Sequence, residues 1–194
     1  MNDASNINGR DFESSVEQLT KRLQWMEDRW AINDLIVRYS IATDDRDIDG
    51  LADLYTEDAI FQGSGGQLEG REAIADFYRE RLAVQGASYH IPYSHEVNQI
   101  SETEARGVTL AAVETALEGK AFWLAVRYLD HCIKGADSKW RFRERQLQQL
   151  YAMPLEELPE GMASELRKRW PGTKPASADL PPSTSTHNKF GSSS

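Results

Sequence analysis

Sulfur and histidine are scarce in this chain. Of its 194 residues, one is cysteine, Cys132, and four are histidine. A lone cysteine excludes an intrachain disulfide and is expected to act as a small core hydrophobe. No Cys/His spacing suits zinc, so no metal site is expected. Phosphate-binding motifs are missing too. The run Gly63-Ser64-Gly65-Gly66 would need a glycine at 68, where Leu68 stands, and it opens no strand–helix–strand unit. It reads as a hairpin turn. Neither a Walker A sequence nor a G-x-S-x-G elbow occurs, and no organic cofactor is expected. Basic residues are in deficit, 22 Lys and Arg against 31 Asp and Glu, for a net charge of −9. An acidic surface repels phosphate backbones, so nucleic acid is not an expected partner. No apolar run approaches the length of a membrane span. The start, MNDASNINGRDFESS, has no basic patch followed by an apolar run. The expectation is no signal peptide, no membrane partner and a cytoplasmic location.

What is present is an ordered succession of helical and then β patterns. Residues 1–12 are polar and expected to be disordered. Val16, Leu19, Leu23, Met26 and Trp30, then Ile32, Leu35, Ile36 and Tyr39, recur at helical spacing. The polar run from Asp44 to Asp47 ends that helix, and a short second one is expected over Ile48–Tyr55. Ala59–Gln62 reads as a strand, and Arg71–Val84 as a third helix with Ile74, Phe77, Tyr78 and Leu82 on one side. Four strands follow, over Tyr89–Ile100, Val108–Leu117, Ala121–Ile133 and Trp140–Tyr151. Pro92 marks the first of these as an edge or a bulge. Short turns between long strands make an antiparallel meander. Helices first and strands last give an α+β domain with helices on one sheet face. Leu155–Arg169 carries one apolar stripe and is expected as a helix. Thr173–Ser194, rich in Pro, Ser and Thr, is expected to be disordered. The organisation is thus a domain over 13–153, a lid-like segment over 154–172 and tails at 1–12 and 173–194.

Acid–base chemistry is what these residues can offer, and histidine suits it best near neutral pH. His187 falls in the tail, leaving His90, His95 and His131. Strand alternation places Phe122, Leu124, Val126, Tyr128, Asp130 and Cys132 on one face and Trp123, Ala125, Arg127, Leu129, His131 and Ile133 on the other. The first face is apolar but for a tyrosine and a carboxylate, as a small-molecule pocket would be. A carboxylate there needs a partner, and Arg127, Arg141 and Arg143 are candidates. The second face is an apolar patch that a further copy of the chain would cover, so a homodimer or homotrimer is expected.

The segments Trp30–Asp47, Leu54–Phe61, Leu68–Ile74, Ser94–Asn98, Arg127–Asp130 and Trp140–Arg145, in that order, resemble the SnoaL-like branch of the nuclear transport factor 2-like superfamily. The resemblance covers roughly residues 15–153. It implies a cone-shaped, curved antiparallel sheet packed on three N-terminal helices, a cystatin-like α+β roll. Members include non-enzymatic scaffolds, cyclases, isomerases, an epoxide hydrolase and eliminating enzymes of the scytalone dehydratase and bile-acid dehydratase type. By position, Asp44 and His95 match the Asp–His dyad of the eliminating members, and Tyr39 matches the tyrosine of the bile-acid dehydratase type. Tyr55, Phe61, Asn98, Val126, Tyr128 and Asp130 would line the substrate pocket. Thr43 and the Phe61–Gln62 region stand where scytalone dehydratase has its tyrosines, which argues against scytalone as substrate. The implied activity is cofactor-independent elimination, by default dehydration, of a hydrophobic, hydroxylated cyclic or aromatic molecule. The alternatives are loss of formaldehyde from a lignin-derived diarylpropane through a quinone methide, isomerisation or polyketide cyclisation, and non-catalytic binding of a small molecule. In the dyad reading His95 is the base, Asp44 fixes its tautomer and Tyr39 serves the leaving oxygen. Positions five apart lie about 140° apart around a helix, so Tyr39 and Asp44 converge only if the helix loosens at its end.

Overall fold

The computed structural model describes the backbone of residues 4–63 and 65–180, and side chains from residue 12 onward within that range. Three helices come first, α1 (Ala4–Asp45), α2 (Ile48–Ala52) and α3 (Arg71–Ala83). The strands are β1 (Tyr55–Gly63), β2 (Gly66–Glu69), β3 (Ser88–Gln99), β4 (Glu104–Leu117), β5 (Lys120–Lys134) and β6 (Trp140–Pro154). They form one curved, open sheet in the order β2-β1-β6-β5-β4-β3. The β3–β6 meander and the β1–β2 hairpin are antiparallel, whereas β1 runs parallel to β6. That parallel pair departs from the all-antiparallel expectation. It arises because β1 enters from the helices beside β6, the last strand of the meander, with β2 as the edge.

Alternation decides what the sheet buries. Phe122, Leu124, Val126, Tyr128 and Cys132 of β5 face inward with Trp140 and Phe142 of β6. Against them pack Ile32, Leu35, Tyr39 and Ala42 of α1, Leu51 of α2, and Ile74, Tyr78 and Leu82 of α3. The opposite face of β5, with Trp123, Ala125, Leu129 and Ile133, is only half-buried within the chain. Pro92 falls on an edge strand and beside a break in register between Pro92 and Ser94. Both consequences of a strand proline occur together. The bulge resets the alternation so that His90 and His95, five residues apart, are both partly covered.

Several boundaries differ from the sequence reading. Helix α1 begins at Ala4, so residues 4–12 are helical rather than disordered. Residues 1–3 lie outside the described range. The short second helix stops at Ala52, and Tyr55 already belongs to β1. Leu155–Arg169 is not one helix. It forms a 3-10 turn over Leu155–Glu157, a short α4 (Leu158–Ala163) and then an extended strap. Gly161 and the β-region backbone at Ser164 stop the helix early. The strap hydrogen-bonds both ways to Ala152, donating from Arg169 and accepting at Arg167. Residues 173–180, expected to be disordered, are held in place. Asp179 and Gln149 exchange bonds, and Lys168 pairs with Ala176. Residues 181–194, including His187, lie outside the described range.

Trp170 anchors the strap. Its indole stacks on Phe122 with ring centroids 6.0 Å apart, lies under the Arg81 guanidinium and donates to Gln149 Oε1 at 3.1 Å. The strap therefore clamps the β4–β5 end of the sheet to α3. Trp170→Ala is expected to cost on the order of 2 kcal/mol, since a stacked, partly buried aromatic is lost. A urea midpoint that drops at unchanged slope would show it. An unchanged midpoint would mean that the strap adds nothing to the fold.

Candidate active site

The last turn of α1 carries the acid of the site. Asp44 is the penultimate helical residue, and Arg46 turns the chain in the left-handed region (φ 61°) just beyond the helix end. The Arg46 side chain then donates to the carbonyls of Gln85 and Gly86, at 2.7 and 2.9 Å. This ties the helix end to the segment that enters β3. Ser88 and His90, the first inward positions of that strand, are thereby brought to Asp44.

Asp44 is bonded to His90, not to His95. Its Oδ1 lies 2.7 Å from His90 Nδ1, its Oδ2 accepts the His90 backbone N–H at 2.8 Å, and Ser88 Oγ donates to Oδ1 at 3.0 Å. Burial alone would raise the Asp44 pKa, but the bonds from the His90 ring, the His90 backbone and Ser88 outweigh it and hold the carboxyl below its usual range. An ionised Asp44 requires Nδ1 to carry a proton. The lone pair of the neutral imidazole is then on Nε2, which has no hydrogen-bond partner among the described residues. The pair is reachable, with His90 and Asp44 side chains 11% and 19% exposed.

Tyr39 reaches the same imidazole from one turn earlier, its ring meeting His90 edge-on at 5.9 Å. Helix α1 stays regular to Asp45, so no loosening is needed. The two side chains converge through the imidazole, not by direct contact. The Tyr39 hydroxyl lies 2.7 Å from that of Tyr78, and burial pushes the Tyr78 and Tyr128 hydroxyls well above the ordinary range. Tyr78 and Tyr128 therefore stay protonated at neutral pH.

Beside the tyrosines lies a buried cation that the sequence reading passed over. Arg145 on β6 is fully buried, with its guanidinium carbon 4.0 Å from the ring centroids of Tyr39 and Tyr128 and 4.2 Å from that of Phe142. Its Nε is 3.3 Å from Asp130 Oδ1, yet none of its three nitrogens has a hydrogen-bond acceptor among the described residues. Asp130 finds its partner here, not in Arg127, Arg141 or Arg143. Burial raises the Asp130 pKa to about 6, against the opposing pull of Arg145 and Thr109. Strict alternation from Trp140 and Phe142 would turn Arg145 outward with Arg141 and Arg143, but a register shift in the β5–β6 ladder turns it inward, opposite Asp130.

His95 sits elsewhere on β3, opposite Thr109 on β4 and close to Gly107. A Cβ on Gly107 would come within 2.6 Å of His95 Nε2, so that glycine makes room for the ring. Burial first, and then the charges of Arg145 and Arg29, lower the His95 pKa to about 4. In an unfolded chain the same histidine takes its proton near pH 6.5. The sign follows, because the folded state disfavours the proton. His95 contributes stability that is present above about pH 6.5 and lost as pH falls toward 4. His95→Gln is expected to flatten the fall in melting temperature between those limits. An acid limb as steep as that of the unaltered protein would contradict this.

Of the positions expected to line a pocket, Tyr55, Phe61, Val126, Tyr128 and Asp130 are buried together around Arg145 and Tyr39. Asn98 is not among them. It is exposed on β3 and bonds Glu96, because the bulge turns Val97 inward instead. His131 faces outward against Glu104. Among the described residues no group of three His, Cys, Asp or Glu side chains could hold a metal ion.

This geometry sits within a known family. The SnoaL-like domain profile matches residues 24–146, and the chain belongs to that family. No curated protein matches at the sequence level. Solved structures do. LinA is 24% identical with a TM-score of 0.65, over 69% of this chain and 93% of that one. The hexachlorocyclohexane dehydrochlorinase LinA-type3 from Novosphingobium barchaimii is 22% identical with a TM-score of 0.64, over 69% and 94%. A proposed scytalone dehydratase from Novosphingobium aromaticivorans is 20% identical with a TM-score of 0.63, over 67% and 89%. Among the described residues no helix is long and apolar enough to cross a membrane.

Proposed function

We propose that the chain is a cofactor-independent lyase, with His90 as general base and Asp44 as the group that orients it. The Asp44–His90 pair carries this reading, since a carboxylate bound to Nδ1 leaves Nε2 as the proton acceptor. His90 Nε2 takes a proton from a carbon next to the one that bears the leaving group. The C–H electrons become the new double bond as the C–O bond breaks. Asp44 stabilises the imidazolium. The Tyr39–Tyr78 hydroxyl pair gives a proton to the departing oxygen, which leaves as water. The unsatisfied N–H groups of Arg145 supply donors for negative charge that develops nearby. The aromatic shell favours a hydrophobic, hydroxylated cyclic or aromatic substrate, in a cytoplasmic setting.

A panel of such alcohols, including phenolic benzylic ones, tests this by appearance of the conjugated product's absorbance. The expected outcome is turnover without added metal or cofactor. Formaldehyde release in place of water loss would assign the same base to C–C cleavage. A panel that raises the melting temperature without any turnover would favour a binding module.

A further inference from the structure

Helix α1 has two faces with different tasks. Ile32, Leu35, Tyr39 and Ala42 pack on the sheet, and Asp28 accepts from Trp140 and pairs with Lys134 on the same side. On the opposite side stand Phe12, Val16, Leu19, Leu23, Met26, Trp30 and Val37, each between 41% and 71% exposed. Their spacing alternates four and three. Val16, Leu23, Trp30 and Val37 fall at a positions and Phe12, Leu19 and Met26 at d positions, with Asn33 as the polar member of the d row. A 3.5-residue repeat sustained over about four heptads is the pattern of a coiled-coil seam, and not of a helix lying on a globular core. The family match begins at residue 24, so the first half of this stripe lies outside the matched segment.

We infer that α1 is the dimerisation element of this protein, pairing with α1 of a second copy as a parallel, in-register two-stranded coiled coil. The flanking charges choose both occupant and direction. The g positions include Arg22 and Arg29, and the e positions that follow them by five residues are Glu27 and Asp34. In a parallel pair each g residue faces the e residue five further along the other helix. That juxtaposes Arg22 with Glu27 and Arg29 with Asp34, twice over by symmetry. An antiparallel pair would set arginine against arginine and carboxylate against carboxylate. Among the described residues none of these four side chains makes an ion pair within the chain, whereas Glu17 and Lys21, away from the seam, pair with each other. The seam lies opposite the buried face, so the two domains would flank the coiled coil without competing for α1. This surface is separate from the half-buried outer face of β5 and does not depend on the proposed activity.

Sedimentation of the full chain tests the inference, with expected mass twice the 21.9 kDa of one chain. Leu19→Asn with Leu23→Asn should give monomer with unchanged helical content, because both side chains are solvent-exposed. Arg22→Glu should weaken association roughly tenfold, and adding Glu27→Arg should restore it. Leu23→Cys should oxidise to a disulfide-linked dimer, since a positions of a parallel pair face each other and the native Cys132 is buried. A monomer at micromolar concentration would overturn the inference. So would an oligomer indifferent to the double asparagine variant, tighter association with Arg22→Glu, or no cross-link at position 23.

Discussion

His90→Gln is expected to lower turnover by about 10²- to 10⁴-fold while the melting temperature scarcely changes, the range over which a general base acts. The imidazole lies outside the main apolar cluster, and glutamine keeps much of its volume and an N–H donor for Asp44, so the loss falls on chemistry. Asp44→Asn should lose a comparable factor in kcat with a small change in KM. The amide cannot offset the positive charge on the imidazolium and does not dictate which nitrogen holds the proton. His95→Gln should leave kcat within a few-fold, because His95 has neither Asp44 nor Tyr39 against it. The measurement is steady-state kinetics of the three variants on any substrate that the panel identifies. A profile in which His95→Gln is the inactive variant would return the base to the position that the family pattern suggested.

The largest stability effect is expected at the buried Asp130–Arg145 pair. Removing one member of such a pair costs about 3–5 kcal/mol, because the other charge is left without compensation. The two single variants should differ. Asp130, with a pKa already raised to about 6, escapes by taking a proton when Arg145 is replaced by Met. Arg145 cannot shed its proton. Asp130→Leu should therefore lie at the costly end of that range and Arg145→Met nearer the other. Without the opposing pull of Arg145, Asp130 in Arg145→Met takes its proton above pH 6, so that variant's deficit should shrink as pH falls toward 6 and change little below it. The double variant should recover much of the loss, since apolar replacement of both partners removes both uncompensated charges. Urea unfolding of the four proteins forms the cycle. Additive losses in the double variant would show that the two side chains act independently, against the 3.3 Å approach seen here.

The α+β architecture, the three helices and the long strands were legible because each rests on a strong period. Alternation on β5 places Val126, Tyr128 and Asp130 inward, and the structure buries all three. Pro92 signals an edge or a bulge, but not the phase that the strand takes beyond it. One extra residue changes which later side chains point inward, so Asn98 turns out and Val97 in, whereas His90, ahead of the bulge, keeps its phase and meets Asp44. The same phase change brings His95, matched by position to the family dyad, to a partly covered place beside Gly107, while the bond to Asp44 is made by His90. The partner of Asp130 was missed for a different reason. Arg145 is one of three arginines at alternate positions, with Arg141 and Arg143, and sequence alone does not show that only this one is enclosed by aromatic rings. The strap beyond Pro154 misled by periodicity. Five apolar residues at helical spacing include Trp170, whose contact with Phe122 fixes an extended segment instead. Such contacts between distant segments carry no local signal.

The central claim is that Asp44 holds the His90 imidazole with its proton on Nδ1. It is tested most directly by nitrogen-15 chemical shifts of the histidine rings in the intact protein at neutral pH, compared with Asp44→Asn. The expected result is a single Nδ1–H tautomer for His90, with Nε2 shifted as an unprotonated nitrogen, which turns into a mixture of tautomers in Asp44→Asn while His95 is unmoved. An Nε2–H tautomer for His90, or a response to the substitution at His95 instead, would contradict the account.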